Sequence, residues 1–357
     1  MTSMTRPVSL GATPRALPAL PTDLPRTEIA DLLSWAVDYS HQAELDTHAA
    51  RWEALATVAA ADVTAARVLE PHLDALEILR QAGALAGNDP STHAPALEAL
   101  EAVDADETSS WGVFAAEGPG LRVVASDSEE GWTLSGEKPW CSLARRLSHA
   151  LVTAHTSDTT RRLFAVNLRG PGIAAHHGPW VSRGLTDVVS APVTFTAAAA
   201  IPIGDDSWYL DRPGFAWGGI GVAACWWGGA IGIARTLADS FDTREPDQLA
   251  LAHLGAIDAA LDGARTSLVA AARIADGEES TDIPPSIIAR RVRAVTVDAV
   301  ERTLRGVRHA LGPAPLTTDR DYARRVADLE IYVRQHHAER DDAALGRAVH
   351  EHGVAPW

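Results

Sequence analysis

Residues 131–155 read GWTLSGEKPWCSLARRLSHALVTAH and contain the pattern W-x-L-x-G-x-K-x-W-x-S, on which our fold prediction rests. The β-branched and aromatic residues near the two ends predict two strands, Trp132–Leu134 and Ala150–Ala154. Ser135-Gly136 predicts a turn after the first strand, because glycine adopts the backbone conformations that tight turns require. The stretch is therefore either an ordinary β-hairpin with an interfacial tryptophan or a hairpin that carries a ligand contact.

The composition limits the classes of function. The chain has 357 residues, 47 acidic against 31 basic, and a formal net charge of −16. That length exceeds what one compact core usually needs, so we expect two or three subdomains. The acidity disfavours a nucleic-acid partner, since phosphate binding requires clustered Lys and Arg. Cys141 and Cys225 are the two cysteines, which implies no disulfide framework and fits a cytoplasmic location.

Hydrophobic periodicity divides the chain into a helical part, a strand-rich part and a second helical part. Residues 1–25 contain five prolines and predict a disordered tail. Residues 26–105 predict an N-terminal helical domain, with a stop at 87–90 and a short last helix at 93–105. Short β-rich runs separated by turn residues over 106–206 predict an antiparallel β-barrel or sandwich. Residues 207–357 predict helices, so the fold class is α+β.

The second helical part opens with a run that carries no charge from Pro213 to Ala234. Gly221, Cys225, Gly228 and Gly232 fall on one face of a helix, where small residues allow another backbone to approach closely. We therefore predict a helix buried inside a bundle rather than a membrane span. Further helices are predicted after it, the last of them over residues 321–352.

The W-x-L-x-G-x-K-x-W-x-S pattern resembles the flavin-contacting segment of the acyl-CoA dehydrogenase family. The order of helical and β parts is that of the family, and the runs Leu163–Val166 and Asp328–Tyr332 resemble other family segments. The resemblance covers residues 27–353. It implies an N-terminal helical domain, a central β-barrel, a C-terminal four-helix bundle and an FAD cofactor, with FMN or no flavin as alternatives.

The resemblance also implies a set of cofactor contacts. Trp140 would pack against the flavin ring and Ser142 would bond flavin N5, with Cys141 between them as a small buried residue. The backbone of Phe114 and Ala115 would approach the pyrimidine edge. Arg244 and Gly312 would meet the cofactor pyrophosphate of a neighbouring subunit, which implies a homodimer or homotetramer.

The largest departure from the family concerns the catalytic base. The position of the usual catalytic glutamate holds His336, which we therefore predict to act as the acid or base, with His337 or Glu339 as the alternatives. Imidazole titrates nearest neutral pH and is suited to that role. His337 and Asp341 lie one helical turn apart, a spacing that favours a solvated helix face over a metal site.

Three functions remain open from the sequence. The first is α,β-dehydrogenation of an acyl substrate, bound to CoA or to a carrier, by an acyl-CoA dehydrogenase-like flavoprotein. The second is a flavin monooxygenase on the same scaffold that takes reduced flavin from a separate flavin reductase. The third is a catalytically silent binding or assembly subunit that has lost its flavin site.

Overall fold

The computed structural model describes residues 6–11, 19–21, 23–42, 45–85 and 100–354. A helical N-terminal part is followed by a β region and a helical C-terminal part. The N-terminal helices are α1 (Ile29–Gln42), α2 (His48–Ala61) and α3 (Val63–Leu85). The strands are β1 (Trp111–Phe114), β2 (Val123–Ser126), β3 (Trp132–Ser142), β4 (His149–His155), β5 (Arg161–Asn167), β6 (Ile173–Ala175) and β7 (Ser190–Ile203). The C-terminal helices are α4 (Trp208–Asp211), α5 (Pro213–Ser240), α6 (Gln248–Ala275), α7 (Pro285–Leu311), α8 (Ala314–Thr318), α9 (Arg320–Tyr332) and α10 (Glu339–Glu351).

The uncharged run forms helix α5, which is a core helix as predicted. It packs against α2, α6 and α7. A Cβ atom at Gly228 or Gly232 would overlap the carbonyl oxygen of Ala56 or Ala60, so the backbones of α5 and α2 are in contact. Among the described residues, α5 is the one helix long and apolar enough to cross a membrane, and 72% of its most apolar window is buried inside the protein. That burial accounts for its apolar composition.

The β region is one mixed sheet with the pairing order β1-β4-β2-β3-β7-β5, and β6 adds to β7. Because β5 also pairs with β4, the strands β4, β2, β3, β7 and β5 form a ring of pairings. The predicted antiparallel barrel is matched only in part. Strands β1 and β2 both pair with β4 in parallel, and the join between β2 and β4 is the single residue pair Val124–His155.

Two features of the β region differ from the sequence prediction. The predicted turn at Ser135-Gly136 is absent, because β3 continues through it with a shift in register against β7 between Leu134 and Gly136. Gly136 has φ +122°, and a Cβ atom there would overlap the carbonyl oxygen of Arg122. The glycine therefore allows a β-bulge within one long strand instead of a turn between two strands. Strands β1 and β6 have no counterpart among the β-rich runs of the sequence.

The N-terminal segment differs from the predicted disordered tail at residues 6–11. The backbone N–H of Val8 donates to Thr57 Oγ1 at 2.9 Å, and that of Leu10 donates to Glu53 Oε1 at 2.7 Å. Both Val8 and Leu10 are buried. The predicted stop at 87–90 and most of the predicted helix at 93–105 lie outside the described residues.

The predicted last helix, 321–352, is divided into two helices. Helix α9 ends at Tyr332, a single 3-10 turn covers Val333–Gln335, and α10 begins at Glu339. Ala338 has φ +47°, a left-handed conformation that a continuous right-handed helix excludes. Helix α9 packs on α5 and α10 packs on α7, so the fourth position of the predicted bundle is filled by two short helices.

Candidate active site

Trp140 lies at a second β-bulge, near the end of β3. The register of β3 against β7 shifts between Lys138 and Cys141, and Trp140 has φ +58°. A bulky residue rarely adopts this conformation, and such strain is concentrated at functional sites. The bulge leaves the Trp140 side chain 62% exposed, although the strand residues around it are largely buried.

The exposed indole lies in a cleft of 760 Å³ where α3, the β region, the start of α5 and the end of α9 meet. That volume falls within the range of about 300–1,000 Å³ that is usual for small-molecule sites. The cleft contains aromatic, hydroxyl and charged side chains together. Its lining includes Arg67, Glu70, Asp74, Ala115, Trp140, Ser142, Trp180, Ser190, Tyr209, Val222, Tyr332, Arg334 and His337.

The Ser142 hydroxyl is held in the cleft by two neighbours. Its Oγ lies 2.7 Å from Ser190 Oγ, and Arg67 Nη2 donates to it at 3.2 Å. An arginine guanidinium only donates, so the Ser142 oxygen accepts this bond. The contact joins the last residue of β3 to helix α3 and fixes the hydroxyl two positions after Trp140, as the flavin-contacting pattern requires.

Arg67 also forms an ion pair with Glu70, one turn further along α3. Arg67 Nη1 lies 3.2 Å from Glu70 Oε2, and the Tyr332 hydroxyl donates to the same oxygen at 3.3 Å. Burial raises the pKa of Glu70 to about 7 against the opposing effect of the Arg67 charge. A carboxyl group that titrates near neutral pH can both take up and release a proton there.

Glu70, Arg67 and Asp74 belong to no motif that the sequence reveals. They occupy one face of α3, and charged residues with this spacing are usually a solvated helix face. The structure instead packs α5 and α9 against that face, so Glu70 is buried and Asp74 is half-buried at the wall of the cleft. No signal in the α3 sequence distinguishes the two situations.

The remaining predicted ring contacts are divided between the cleft and the core. Ala115 lines the cleft at the end of β1, whereas the Phe114 side chain is buried in the core. Cys141 points to the other side of β3 from Ser142, and its Sγ donates to the Lys138 carbonyl oxygen at 3.3 Å. Burial raises the pKa of Cys141 to about 12, so the thiol stays protonated, as expected of a small buried residue.

His336 and His337 have different surroundings. The His336 side chain is buried edge-on against Trp226, with 6.5 Å between the ring centroids, and it is not part of the cleft lining. Burial lowers its pKa. His337 is exposed and lines the cleft, with Nδ1 3.6 Å from Asp341 Oδ1. The role predicted for His336 stays a prediction, and of the two histidines only His337 borders the cleft directly.

Arg244 and Gly312 lie far from the cleft of their own chain. Arg244 follows the end of α5, and Gly312 follows the end of α7. Val222 of α5 lines the cleft, and the 18 residues from there to Ser240 span about 27 Å. A role for Arg244 or Gly312 at the flavin pyrophosphate therefore requires a second subunit, and it stays a prediction.

Several solved structures have a fold similar to that of this chain. The chain matches KijD3 in complex with FMN and dTDP-3-amino-2,3,6-trideoxy-4-keto-3-methyl-D-glucose at 19% identity and TM-score 0.71, covering 91% of this chain and 84% of KijD3. It matches FMN-bound TdsC from Paenibacillus sp. A11-2 at 17% identity and TM-score 0.71, covering 90% and 88%. It matches butyryl-CoA dehydrogenase from Megasphaera elsdenii at 16% identity and TM-score 0.73, covering 92% and 90%.

These matches confirm the predicted resemblance at the level of the fold, which is that of acyl-CoA dehydrogenases and related flavoenzymes. TdsC is a dibenzothiophene monooxygenase, so the solved structures of this fold include a monooxygenase as well as dehydrogenases. No protein-family model matches the chain, and no curated protein matches it.

Proposed function

We propose that this protein is a flavin-dependent oxidoreductase that oxidises a small molecule in the cleft. The observation that carries the proposal is the left-handed bulge that exposes the Trp140 indole beside the anchored Ser142 hydroxyl. A strained backbone that exposes a large apolar ring is costly unless the ring meets a ligand. A bound flavin would supply the two-electron chemistry, with its ring against Trp140 and the Ser142 hydroxyl at N5.

The donor set suits the ring end of a flavin. Trp140 offers an aromatic face, Ser142 offers a hydroxyl group, and the backbone at Ala115 lies along the same cleft. Arg244 and Gly312, the residues predicted for the pyrophosphate, are remote from this cleft. One subunit alone therefore suits FMN, whereas FAD would need the ends of α5 and α7 from a neighbouring subunit.

Of the two reactions, the polar groups at the inner end of the cleft favour monooxygenation of a polar substrate over dehydrogenation of an aliphatic acyl chain. Glu70, Asp74 and Tyr209 line the part of the cleft that continues toward the start of α5. An acyl chain lying there would cover these carboxyl and hydroxyl groups without hydrogen-bonding to them, which is unfavourable. A monooxygenase of this fold would receive reduced flavin from a separate reductase, which we propose as a partner.

Glu70 is our candidate for the proton transfer in either reaction. It borders the cleft, it titrates near neutral pH, and Arg67 and Tyr332 hold its carboxylate in one orientation. In α,β-dehydrogenation, the second candidate function, a base must remove the α-proton, and Glu70 would act as that base. In monooxygenation it would move a proton to or from the substrate.

Flavin binding tests the proposal. We expect the purified protein to bind FMN or FAD with a change in flavin absorbance and fluorescence. Trp140→Ala should weaken binding about tenfold or more, because base–aromatic stacking contributes about 1–3 kcal/mol. Ser142→Ala should shift the flavin reduction potential, whereas Ser135→Ala on the exposed side of β3 should change neither flavin affinity nor reduction potential.

If Trp140→Ala and Ser142→Ala bind flavin like the unaltered protein, the assigned site is wrong. If the unaltered protein binds no flavin, the third function, a silent binding subunit, is supported.

We expect a homodimer or homotetramer in the cytoplasm, because Arg244 and Gly312 can reach only the flavin of another subunit. Multi-angle light scattering should give a mass of at least twice 37.8 kDa. Arg244→Ala should weaken FAD binding more than FMN binding, because FMN lacks the distal phosphate and adenosine. A monomer at all concentrations would contradict this prediction.

A further inference from the structure

A side cavity of 370 Å³ adjoins the cleft between α3, α5 and α7. The two spaces share the residues Glu70, Asp74, Tyr209 and Val222, so a ligand can extend from one into the other. The far wall of the side cavity is formed by Arg212, which precedes α5, and by the first three turns of α7. The lining residues that carry polar side chains are Glu70, Asp74, Tyr209, Arg212, Ser286, Arg290 and Arg293.

Two arginines of this wall have donors that the described part of the protein does not use. Arg212 is only 6% exposed, its Nη1 donates to Gln81 at 2.7 Å, and its guanidinium lies 5.3 Å from the Tyr209 ring centroid. Its Nε is buried and has no hydrogen-bond partner among the described residues. Arg290 is exposed at the edge of the cavity, and its side chain has no hydrogen bond or ion pair with any described residue. A buried donor without a partner costs free energy, and such a group in a native structure points to a missing acceptor.

The third arginine, Arg293, is already engaged. Its Nη1 donates to the Gly219 carbonyl oxygen at 2.9 Å, and its guanidinium lies 4.6 Å from the Trp226 ring centroid. It holds α7 against α5 and contributes positive charge to the wall of the side cavity. Because its Nη2 also donates to the Gln335 carbonyl oxygen, both of its Nη atoms already have partners. The ligand donors of the cavity are therefore those of Arg212 and Arg290.

The balance of charge decides the sign of the ligand. Five arginines line the cleft and the side cavity, against the two carboxyl groups of Glu70 and Asp74; they are Arg67, Arg212, Arg290, Arg293 and Arg334. Burial raises the pKa of both carboxyl groups, that of Glu70 to about 7. The lining of the cleft and side cavity therefore carries a net positive charge, although the whole chain has a net charge of −16.

We propose that the side cavity binds a carboxylate or phosphate group of the substrate through Arg212 and Arg290. Guanidinium groups form strong, directional bonds with the oxygens of these anions. The acidic end of the substrate would lie between α5 and α7, and its reacting part would reach past Glu70 to Trp140. That this anion belongs to the substrate rests on the proposed function; that the cavity binds an anion does not.

Matched aromatic probes test the charge preference of the cavity. Benzoate, phenyl phosphate, benzylamine and benzyl alcohol would be titrated calorimetrically into the full chain at low salt, with and without saturating FMN. We expect the two anions to bind at least tenfold more tightly than benzylamine or benzyl alcohol, and to weaken as salt is added. Arg290→Ala should weaken benzoate binding about threefold to tenfold, because it removes a charged hydrogen-bond donor. The loss is limited to this range because Arg290 is exposed and solvent screens its charge.

Arg291 provides the matched control, since it follows Arg290 in α7 but does not line the cavity. Arg291→Ala should bind benzoate like the unaltered protein, and Arg290→Lys should keep part of the affinity. The inference is overturned if no anion binds, if benzylamine binds as tightly as benzoate, or if Arg290→Ala and Arg291→Ala have the same affinity. Anion binding without flavin binding would sink the proposed function and leave this inference standing; flavin binding without anion binding would do the reverse.

Discussion

Gly228→Leu is expected to destabilise the protein by about 3 kcal/mol or more, a loss at the upper end of typical overpacking effects. A Cβ atom at this position overlaps the carbonyl oxygen of Ala56, which is backbone and cannot rotate away. The substitution must therefore push α5 away from α2 along their whole contact. Since native proteins are stable by only about 5–15 kcal/mol, we expect a large fall in the urea midpoint or loss of folded protein.

The control for this prediction is Gly255→Leu in the exposed face of α6. No atom lies within 4 Å of a Cβ built at Gly255, so leucine there meets open space. Leucine also has a higher helix propensity than glycine, and the substitution should stabilise the protein by about 0.5–1 kcal/mol. Equal urea midpoints for the two variants would show that α5 and α2 are not in backbone contact.

Glu70→Gln is expected to reduce the pH dependence of stability. Between pH 5 and pH 8 the unaltered chain should lose about 2–3 kcal/mol more of its free energy of unfolding than the variant loses. The pKa of Glu70 is raised from 4.5 to about 7 in the folded protein, chiefly by burial. Between these values the folded protein holds a proton that the unfolded chain has released. Stability therefore falls as pH rises through this window, by about 1.4 kcal/mol for each pH unit. Glutamine removes this dependence.

The measurement is the free energy of unfolding in urea at several pH values for both proteins. Other groups titrate in the same range; for example, burial lowers the pKa of His72 to about 4, which destabilises the protein in acid. The difference between Glu70→Gln and the unaltered chain cancels these shared contributions. The exposed Glu130 supplies the control, and Glu130→Gln should follow the unaltered curve. Parallel curves for the unaltered protein and Glu70→Gln would show that Glu70 is ionised throughout this range.

A carboxyl group that lowers stability at neutral pH needs a reason to be there. Glutamine in its place would keep an acceptor for Arg67 and Tyr332 without the cost of a buried charge. Groups that reduce stability and line a cleft are typical of sites where chemistry requires a poised proton. This is why we assign the proton transfer to Glu70, and why the same variant should lose turnover once a substrate is found.

The sequence by itself determined the elements whose patterns are local. The uncharged glycine-rich run identified α5 as a buried helix, because Gly228 and Gly232 fall on the face that another backbone must approach. The order of periodicities gave the α+β class, and the W-x-L-x-G-x-K-x-W-x-S pattern led to the fold of the acyl-CoA dehydrogenases. Trp140 and Ser142 were predicted to share one site because both belong to that pattern, two positions apart.

Only the tertiary structure brought together groups that are distant in the chain. Arg67 and Glu70 reach Ser142 and Tyr332 because α3 packs against both the end of β3 and α9. The left-handed residue Ala338 divides the last helix, so that His337 borders the cleft and His336 faces Trp226. The side cavity with Arg212 and Arg290 lies between residues of α3, α5 and α7, which are far apart in the chain. Burial changes the pKa of a carboxyl group and leaves donors unpaired, and burial is a property of packing, which residue spacing alone does not specify.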